Sequence, residues 1–297
     1  MILITGAAGK TGKAVLPEVA EKGGIVKAWV YRVEQIQEVE ALGAKDVIVG
    51  DLHDTAILRR AIQGVDSAYH ICPNMHPDEI TIAREIIDAA AAIGVTQFVY
   101  HSVLHPQIEA MPHHWKKMRV EEHLFVSGLP FTILQPAVYM QNILVNWGKI
   151  VETGKYSVPY AVGSRISMVD LEDVALAAAN VLMEVNPEAD QLRHIGATYE
   201  LVGTPAMTPS EIAAILAPQL GRPVVAEEVS IAAWKQGVRN SGMGDYQINT
   251  LIKMFNYYAK YGFWGNSQVL SWLLKRPTTS FEAFVKRVIQ ARSHDAQ

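Results

Sequence analysis

The chain has 297 residues, 49% of them apolar, and a formal net charge of −4. This length and apolar content support a large core in one or two domains, and an acidic balance with no basic run excludes nucleic acid as a direct partner. A lone cysteine, Cys72, rules out an internal disulfide framework; it fits a reducing compartment, and no apolar run has the length of a membrane span, so a cytoplasmic location away from membranes is expected.

Residues 1–5, Met-Ile-Leu-Ile-Thr, have strand composition, and no signal peptide is expected ahead of a core strand. Gly6-Ala7-Ala8-Gly9-Lys10-Thr11-Gly12 follows without a gap, and apolar residues at helical spacing run on through Val19 and Ala20. A buried strand, a tight glycine turn and a helix N-terminus together make an anion site, because the first-turn N–H groups and the positive helix end face a phosphate. The missing side chains let a pyrophosphate approach the backbone. Gly6, Ala8, Gly9, Lys10, Thr11 and Gly12 are therefore the expected cofactor-phosphate residues. A P-loop is excluded, since that motif needs a glycine five positions before Gly9-Lys10 and Ile4 stands there. The spacing is G-x-x-G-x-x-G, the variant seen in short-chain dehydrogenase/reductase relatives.

A second strand is predicted over 25–31 and a helix over 34–42. The strand ends Trp29-Val30-Tyr31-Arg32, with no Asp or Glu before Glu34. A carboxylate there would bind the ribose hydroxyls of NAD and repel the extra phosphate of NADP, whereas Arg32 can pair with that phosphate. NADP(H) is accordingly preferred over NAD(H), with Lys10 as a second positive charge; the alternative makes Arg32 a solvated loop residue. A third strand, 46–49, leads to Asp51 and Leu52. Asp51 either accepts from the adenine amino group or caps the helix predicted over 55–62, and Leu52 supplies an apolar face to the base. A fourth strand over 67–71 ends at Cys72-Pro73, at the sheet edge where ligands collect. Pro73 is expected to line the cofactor and Cys72 to be a small buried residue beside it rather than a nucleophile.

A long helix over 77–93 stops at Gly94, and a fifth strand over 97–101 ends His101-Ser102-Val103, with His105 in the following loop. The next helix, 113–126, opens His113-His114-Trp115-Lys116-Lys117 and carries Glu121. Short-chain reductases use a strand-end serine with Tyr-x-x-x-Lys; here the pattern is His113-x-x-x-Lys117. Imidazolium is a competent proton donor near neutral pH, so His113, or a water held by Ser102 and Lys117, is the expected proton source. A purely chemical role for Lys117 predicts that its removal abolishes turnover and spares the fold. Metal is not expected at His101, His105, His113 and His114, whose spacing fits no ligand frame. No G-x-S-x-G elbow surrounds Ser102, so it is no nucleophile.

A sixth strand is predicted over 131–135. The pattern of alternating strands and helices gives an α/β, Rossmann-type doubly wound parallel sheet. Beyond Pro136 a helix over 139–152, a short strand over 156–159, an Ala-rich helix over 173–183 and a last core strand over 199–202 are predicted. From 208 the chain reads as helical, with the Ser210 region capping the first helix. The expected domains are 1–153, binding the dinucleotide and completed by a core helix and strand around 166–203, and 204–297, a smaller, mainly helical substrate or partner lobe.

The residues quoted above resemble the NmrA-like family of atypical short-chain dehydrogenases. The resemblance rests on residues 6–12, Arg32, Gly50-Asp51-Leu52, His101-Ser102-Val103, Lys117 with Glu121, the run 127–136 (SGLPFTILQP), Tyr139-Met140-Gln141-Asn142, and 273–279 (LLKRPTT). It implies that Gly6, Gly9, Gly12, Lys10 and Arg32 bind cofactor phosphates and that Lys117 contacts the nicotinamide ribose. Tyr139 and Asn142, with His105, are expected to help wall the substrate pocket. Family members include cofactor-sensing regulators, quinone reductases, and reductases of dyes and of phenylpropanoid double bonds. Two readings follow. One is an NADPH-dependent reductase of a small electron-poor substrate such as a quinone or conjugated carbonyl compound. The other is a non-catalytic NADP(H) sensor acting through a protein partner or a homodimer.

Overall fold

The computed structural model describes residues 1–186, 191–239 and 241–294. Six strands, β1 (Ile2–Ile4), β2 (Val26–Val30), β3 (Asp46–Val49), β4 (Ser67–His70), β5 (Gln97–His101) and β6 (Phe131–Pro136), alternate with helices α1 (Lys10–Glu21), α2 (Ile36–Ala41), α3 (Thr55–Ile62), α4 (Glu79–Ile93) and α5 (Pro112–Val126). All five pairings among these strands are parallel, with Leu3 lying between Lys27 and Ala68. Helices on both faces of a parallel sheet require strands apolar on both sides, and β1, β2 and β5 are buried along their whole length.

Later elements are β7 (Val138–Tyr139), α6 (Trp147–Thr153), β8 (Lys155–Val158), β9 (Met168–Val169), α7 (Leu171–Met183), β10 (Val185–Asn186), β11 (Gln191–Leu192), β12 (Ala197–Leu201), α8 (Pro209–Leu220), β13 (Val225–Glu228), α9 (Ile231–Val238), α10 (Asp245–Tyr261), α11 (Gln268–Leu274) and α12 (Phe281–His294). β12 joins the large sheet, whose order is β12-β6-β5-β4-β1-β2-β3. The order reverses between β1 and β4, and a crevice for a ligand opens outside the carboxyl ends of strands at such a switch point.

The chain divides into two units. The first comprises Met1–Glu109, His113–Pro136 and Val174–Glu200; the second comprises Ala110–Pro112, Ala137–Asp173 and Leu201–Gln297. The stretch 137–153, expected in the first domain, therefore groups with the second. In the first unit Leu3, Trp29, Ile82, Ile86, Phe98, Tyr100 and Leu124 share one core. Each fully buried side chain of this size is worth about 1.5–3 kcal/mol relative to exposure.

The second unit packs Met140, Ile150, Ile212, Leu216, Phe281 and Phe284 into its own core. Two carboxylates with no exposure at all hold its later segments. Asp173 accepts from Arg276 at 2.7 Å and from the Thr279 amide at 2.6 Å, while Asp170 accepts from Arg287 at 2.6 Å.

Two local expectations are corrected. The helix foreseen over 139–152 starts as β7, paired with β9, then runs as a 3₁₀ segment (Met140–Asn146) before α6. Strand pairing and the Gln141 side chain, which donates to Asp170 at 2.7 Å and accepts from the Leu171 amide at 3.1 Å, override local helix preference. The cap of α8 is Thr208, not Ser210: its hydroxyl accepts from the Glu211 amide, and Glu211 answers the Thr208 amide in a capping box, with Pro209 at the first helical position.

Candidate active site

The glycine turn is closely packed against its own backbone. Gly6 sits at φ +60°, and a Cβ there would stand 3.0 Å from the Ile71 carbonyl oxygen. At Gly12 a Cβ would come within 2.4 Å of the Gly6 oxygen and 2.6 Å of the Ala7 Cα, so only hydrogen fits. Gly9 is the N-cap of α1 and no side chain caps that helix; Lys10 is its first residue and exposed, whereas Thr11 and Gly12 are buried. The turn is pinned by Gly9 N–H to the Gly6 carbonyl at 2.9 Å and by Ala7 N–H to the Trp29 carbonyl at 3.2 Å. Ala8, half-buried, completes it.

The neighbouring strand ends carry the other expected cofactor residues. Arg32 is exposed just past β2, and its guanidinium has no hydrogen-bond or ion-pair partner among the described residues. Asp51 is exposed and accepts from the His53 amide at 2.9 Å; the cap of α3 is Asp54, whose carboxylate takes the Ala56 and Ile57 amides. The alternative role of Asp51 as that helix cap is thus ruled out. Leu52 packs half-buried against the core. At the end of β4, Cys72 is buried, with its thiol pKa pushed up by burial and then by Glu79, while Pro73 is exposed.

Beside the carboxyl end of β5, side chains from three elements meet. Lys117 of α5 donates to Glu79 of α4 at 2.5 Å and to the His101 carbonyl at 3.1 Å, and its ammonium lies 5.3 Å from the centre of the Tyr100 ring. Glu79 is 1% exposed and also accepts from the Tyr100 hydroxyl at 3.3 Å. Behind them His70 stacks on Tyr100 and shares a 2.9 Å hydrogen bond with Thr5, while His101 shares one of 2.6 Å with Tyr69. Ser102 donates to Glu121, and Gln135 donates to both oxygens of the same carboxylate at 3.0 and 3.1 Å. Burial raises the pKa of Glu121.

A model of the NmrA-like family matches residues 1–285. The chain belongs to that family. Over 99% of its length it is 29% identical to quinone oxidoreductase 2 of Escherichia coli, covering all of that protein. It is also 27% identical to the NAD(P)H azoreductase of Xenophilus azovorans, over 96% of this chain and 97% of that one. The structure of the Escherichia coli quinone oxidoreductase with NADPH superposes with a TM-score of 0.83, covering 97% of this chain and 100% of the other.

Within this NmrA-like frame, two expected proton sources are corrected. His113 is 7% exposed, and burial, then His114 and Lys117, lower its pKa to about 2. It is a neutral imidazole at pH 7, not the imidazolium foreseen, and its Nδ1 is buried with no hydrogen-bond partner among the described residues. Ser102 is 2% exposed with its proton directed to Glu121, so its hydroxyl ties the end of β5 to α5 rather than facing a water. His105 sits at φ +53°, half-buried, with its Nδ1 3.7 Å from Glu200 and its carbonyl accepting from His114 at 3.2 Å. Tyr139, half-buried in β7, and Asn142, exposed in the 3₁₀ segment, belong to the second unit.

Glu79, Tyr100, His70 and Gln135 escaped the sequence reading. Glu79 was one acid within a predicted helix, and only the crossover from β4 sets it opposite Lys117. The available signal was its place in the first turn after a sheet-edge loop, where a carboxylate is favoured by the helix dipole.

Proposed function

We propose that this NmrA-like protein is an NADPH-dependent reductase of small, flat, electron-poor substrates of the quinone or conjugated-carbonyl type. The carrying observation is the combination of a Gly12 position that accepts no side chain with an unpaired, exposed Arg32 where NAD-binding chains place a carboxylate. In this reading the backbone of residues 6–12 and the N-terminus of α1 hold the pyrophosphate, and Arg32, with Lys10, holds the 2′-phosphate. Asp51 and Leu52 flank the adenine, and Cys72 and Pro73 border the cofactor at the end of β4. The nicotinamide supplies a hydride. Lys117, with one N–H on Glu79 and one on the His101 carbonyl, keeps a third for a ribose hydroxyl and places a fixed positive charge there. With His113 neutral, the accompanying proton comes from solvent.

The quinone oxidoreductase and azoreductase relatives support the same reading of substrate and cofactor. His105 is assigned to substrate contact, so alanine there should raise the quinone KM without changing NADPH binding. Among the described residues no helix is long and apolar enough to cross a membrane, and a cytoplasmic location goes with this reading. The test is a titration with NADPH and NADH, then NADPH consumption against a panel of quinones and enones. Tight NADPH binding with consumption is expected. Binding without consumption across the panel would overturn the reductase in favour of a cofactor-sensing protein.

A further inference from the structure

The loop after β3 and the loop after β4 carry a cluster unrelated to the chemistry above. His53, His76 and Asp78 each bring one ligand-type atom to a common point, all within 4.8 Å of one another. His53 Nε2 stands 3.5 Å from Asp78 Oδ2, and the two imidazole rings are 5.8 Å apart. Donors held about 2.0–2.1 Å from a tetrahedral ion are separated from each other by roughly 3.3 Å, so the His53–Asp78 pair already has the spacing of two ligands on one metal.

Three features argue against a chance surface contact. Asp78 is the N-cap of α4, the position where an aspartate side chain ordinarily accepts from the helix, yet its carboxylate makes no cap hydrogen bond and faces His53 instead. His76 Nδ1 accepts from the Asp78 amide at 3.1 Å, a contact that holds the ring against the turn carrying Asp78. Both loops are held in place independently of the cluster: His53 by the Asp51 carboxylate, which accepts its amide, and the second loop by Lys116, which donates to the Pro77 carbonyl.

We propose that His53, His76 and Asp78 form a binding site for a first-row divalent ion of the Zn²⁺ type, stapling the β3–α3 loop to the β4–α4 loop. Two imidazoles and one carboxylate are a borderline-soft set that suits Zn²⁺, Ni²⁺ or Cu²⁺ and not the all-oxygen preference of Ca²⁺ or Mg²⁺. His53 and Asp78 are exposed and His76 half-buried, which leaves room for water in the remaining coordination positions. The ion would take the His76 lone pair in place of one amide hydrogen bond.

The test is a titration of the full-length, tag-free protein with Zn²⁺ against a colorimetric zinc indicator. One equivalent per chain is expected, and His53→Gln and Asp78→Asn should each weaken it at least about tenfold. His123→Gln, altering a histidine paired with Asp88 elsewhere on the surface, should leave it unchanged. Circular dichroism of each variant separates loss of the site from loss of the fold. A wild-type chain that takes up no stoichiometric Zn²⁺, or folded His53→Gln and Asp78→Asn chains that bind as wild type does, would overturn the proposal.

Discussion

Replacing Lys117 by Met tests the buried charge pair at the heart of the site. The substitution keeps most of the stem and removes the ammonium, leaving Glu79, 1% exposed, with the Tyr100 hydroxyl as its remaining side-chain partner among the described residues. Breaking a buried ion pair by removing one partner costs about 3–5 kcal/mol. The carboxylate can escape by taking up a proton, and for an ordinary glutamate at pH 7 that costs about 3.7 kcal/mol, which limits the loss from the same side. In a unit of this size each kcal/mol moves the melting midpoint by about 2–4 °C. Thermal and urea unfolding, followed by circular dichroism and tryptophan fluorescence, should therefore show a fall of roughly 6–15 °C at pH 7. Adding Glu79→Gln to Lys117→Met should restore much of the stability, since no buried charge is then left unpaired. A single variant that loses under about 1 kcal/mol, or a double variant no more stable than the sum of its parts, would refute the reasoning. The buried pair with Glu79 gives Lys117 a structural role, so its removal is expected to cost stability whatever it does to turnover.

Arg32→Ala should weaken NADPH binding about 10–100-fold, the worth of a charge-assisted arginine–phosphate contact, and leave NADH binding unchanged; equal losses for both cofactors would remove Arg32 from the 2′-phosphate site. Gly12→Ala forces a methyl against the Gly6 oxygen and Ala7, so stability should drop by about 1–3 kcal/mol and NADPH fluorescence titration should show binding lost; wild-type affinity would contradict the cradle. Acid unfolding should be steep. His70, His101, His113 and His114 have pKa values lowered to about 3, 3, 2 and 4, in each case chiefly by burial. Unfolded imidazoles take up protons below pH about 6.5 and these folded ones do not, so stability is full above that pH and falls as pH drops, by about 1.4 kcal/mol per histidine per pH unit. Near pH 5 the pH dependence of the unfolding free energy should report close to four extra protons on the unfolded chain. Fewer than two would mean that these imidazoles are charged or open to water in the folded protein.

Much of the nucleotide half is legible in local sequence because its signals are local. The apolar run before Gly6 must be a buried strand, Gly6 takes a positive φ and Gly12 answers backbone contacts at Gly6 and Ala7, and the absence of an acid before Glu34 is a fact of composition at one strand end. The acid–base side is different, because a spacing such as His113-x-x-x-Lys117 names residue types and not surroundings. Whether an imidazole is an acid at neutral pH depends on its desolvation, and His113 is buried to 7% exposure in the folded chain. Likewise the partner of Lys117 is 38 residues away, brought opposite by the β4–α4 crossover, and His53 meets Asp78 only because two loops leave the same edge of the sheet. By itself the sequence determined the strand–turn–helix turn and the basic residue at the end of the second strand, both set over short spans of chain. Only the tertiary structure decided which ionisable groups are charged and with whom they pair, because burial and long-range proximity set those energies.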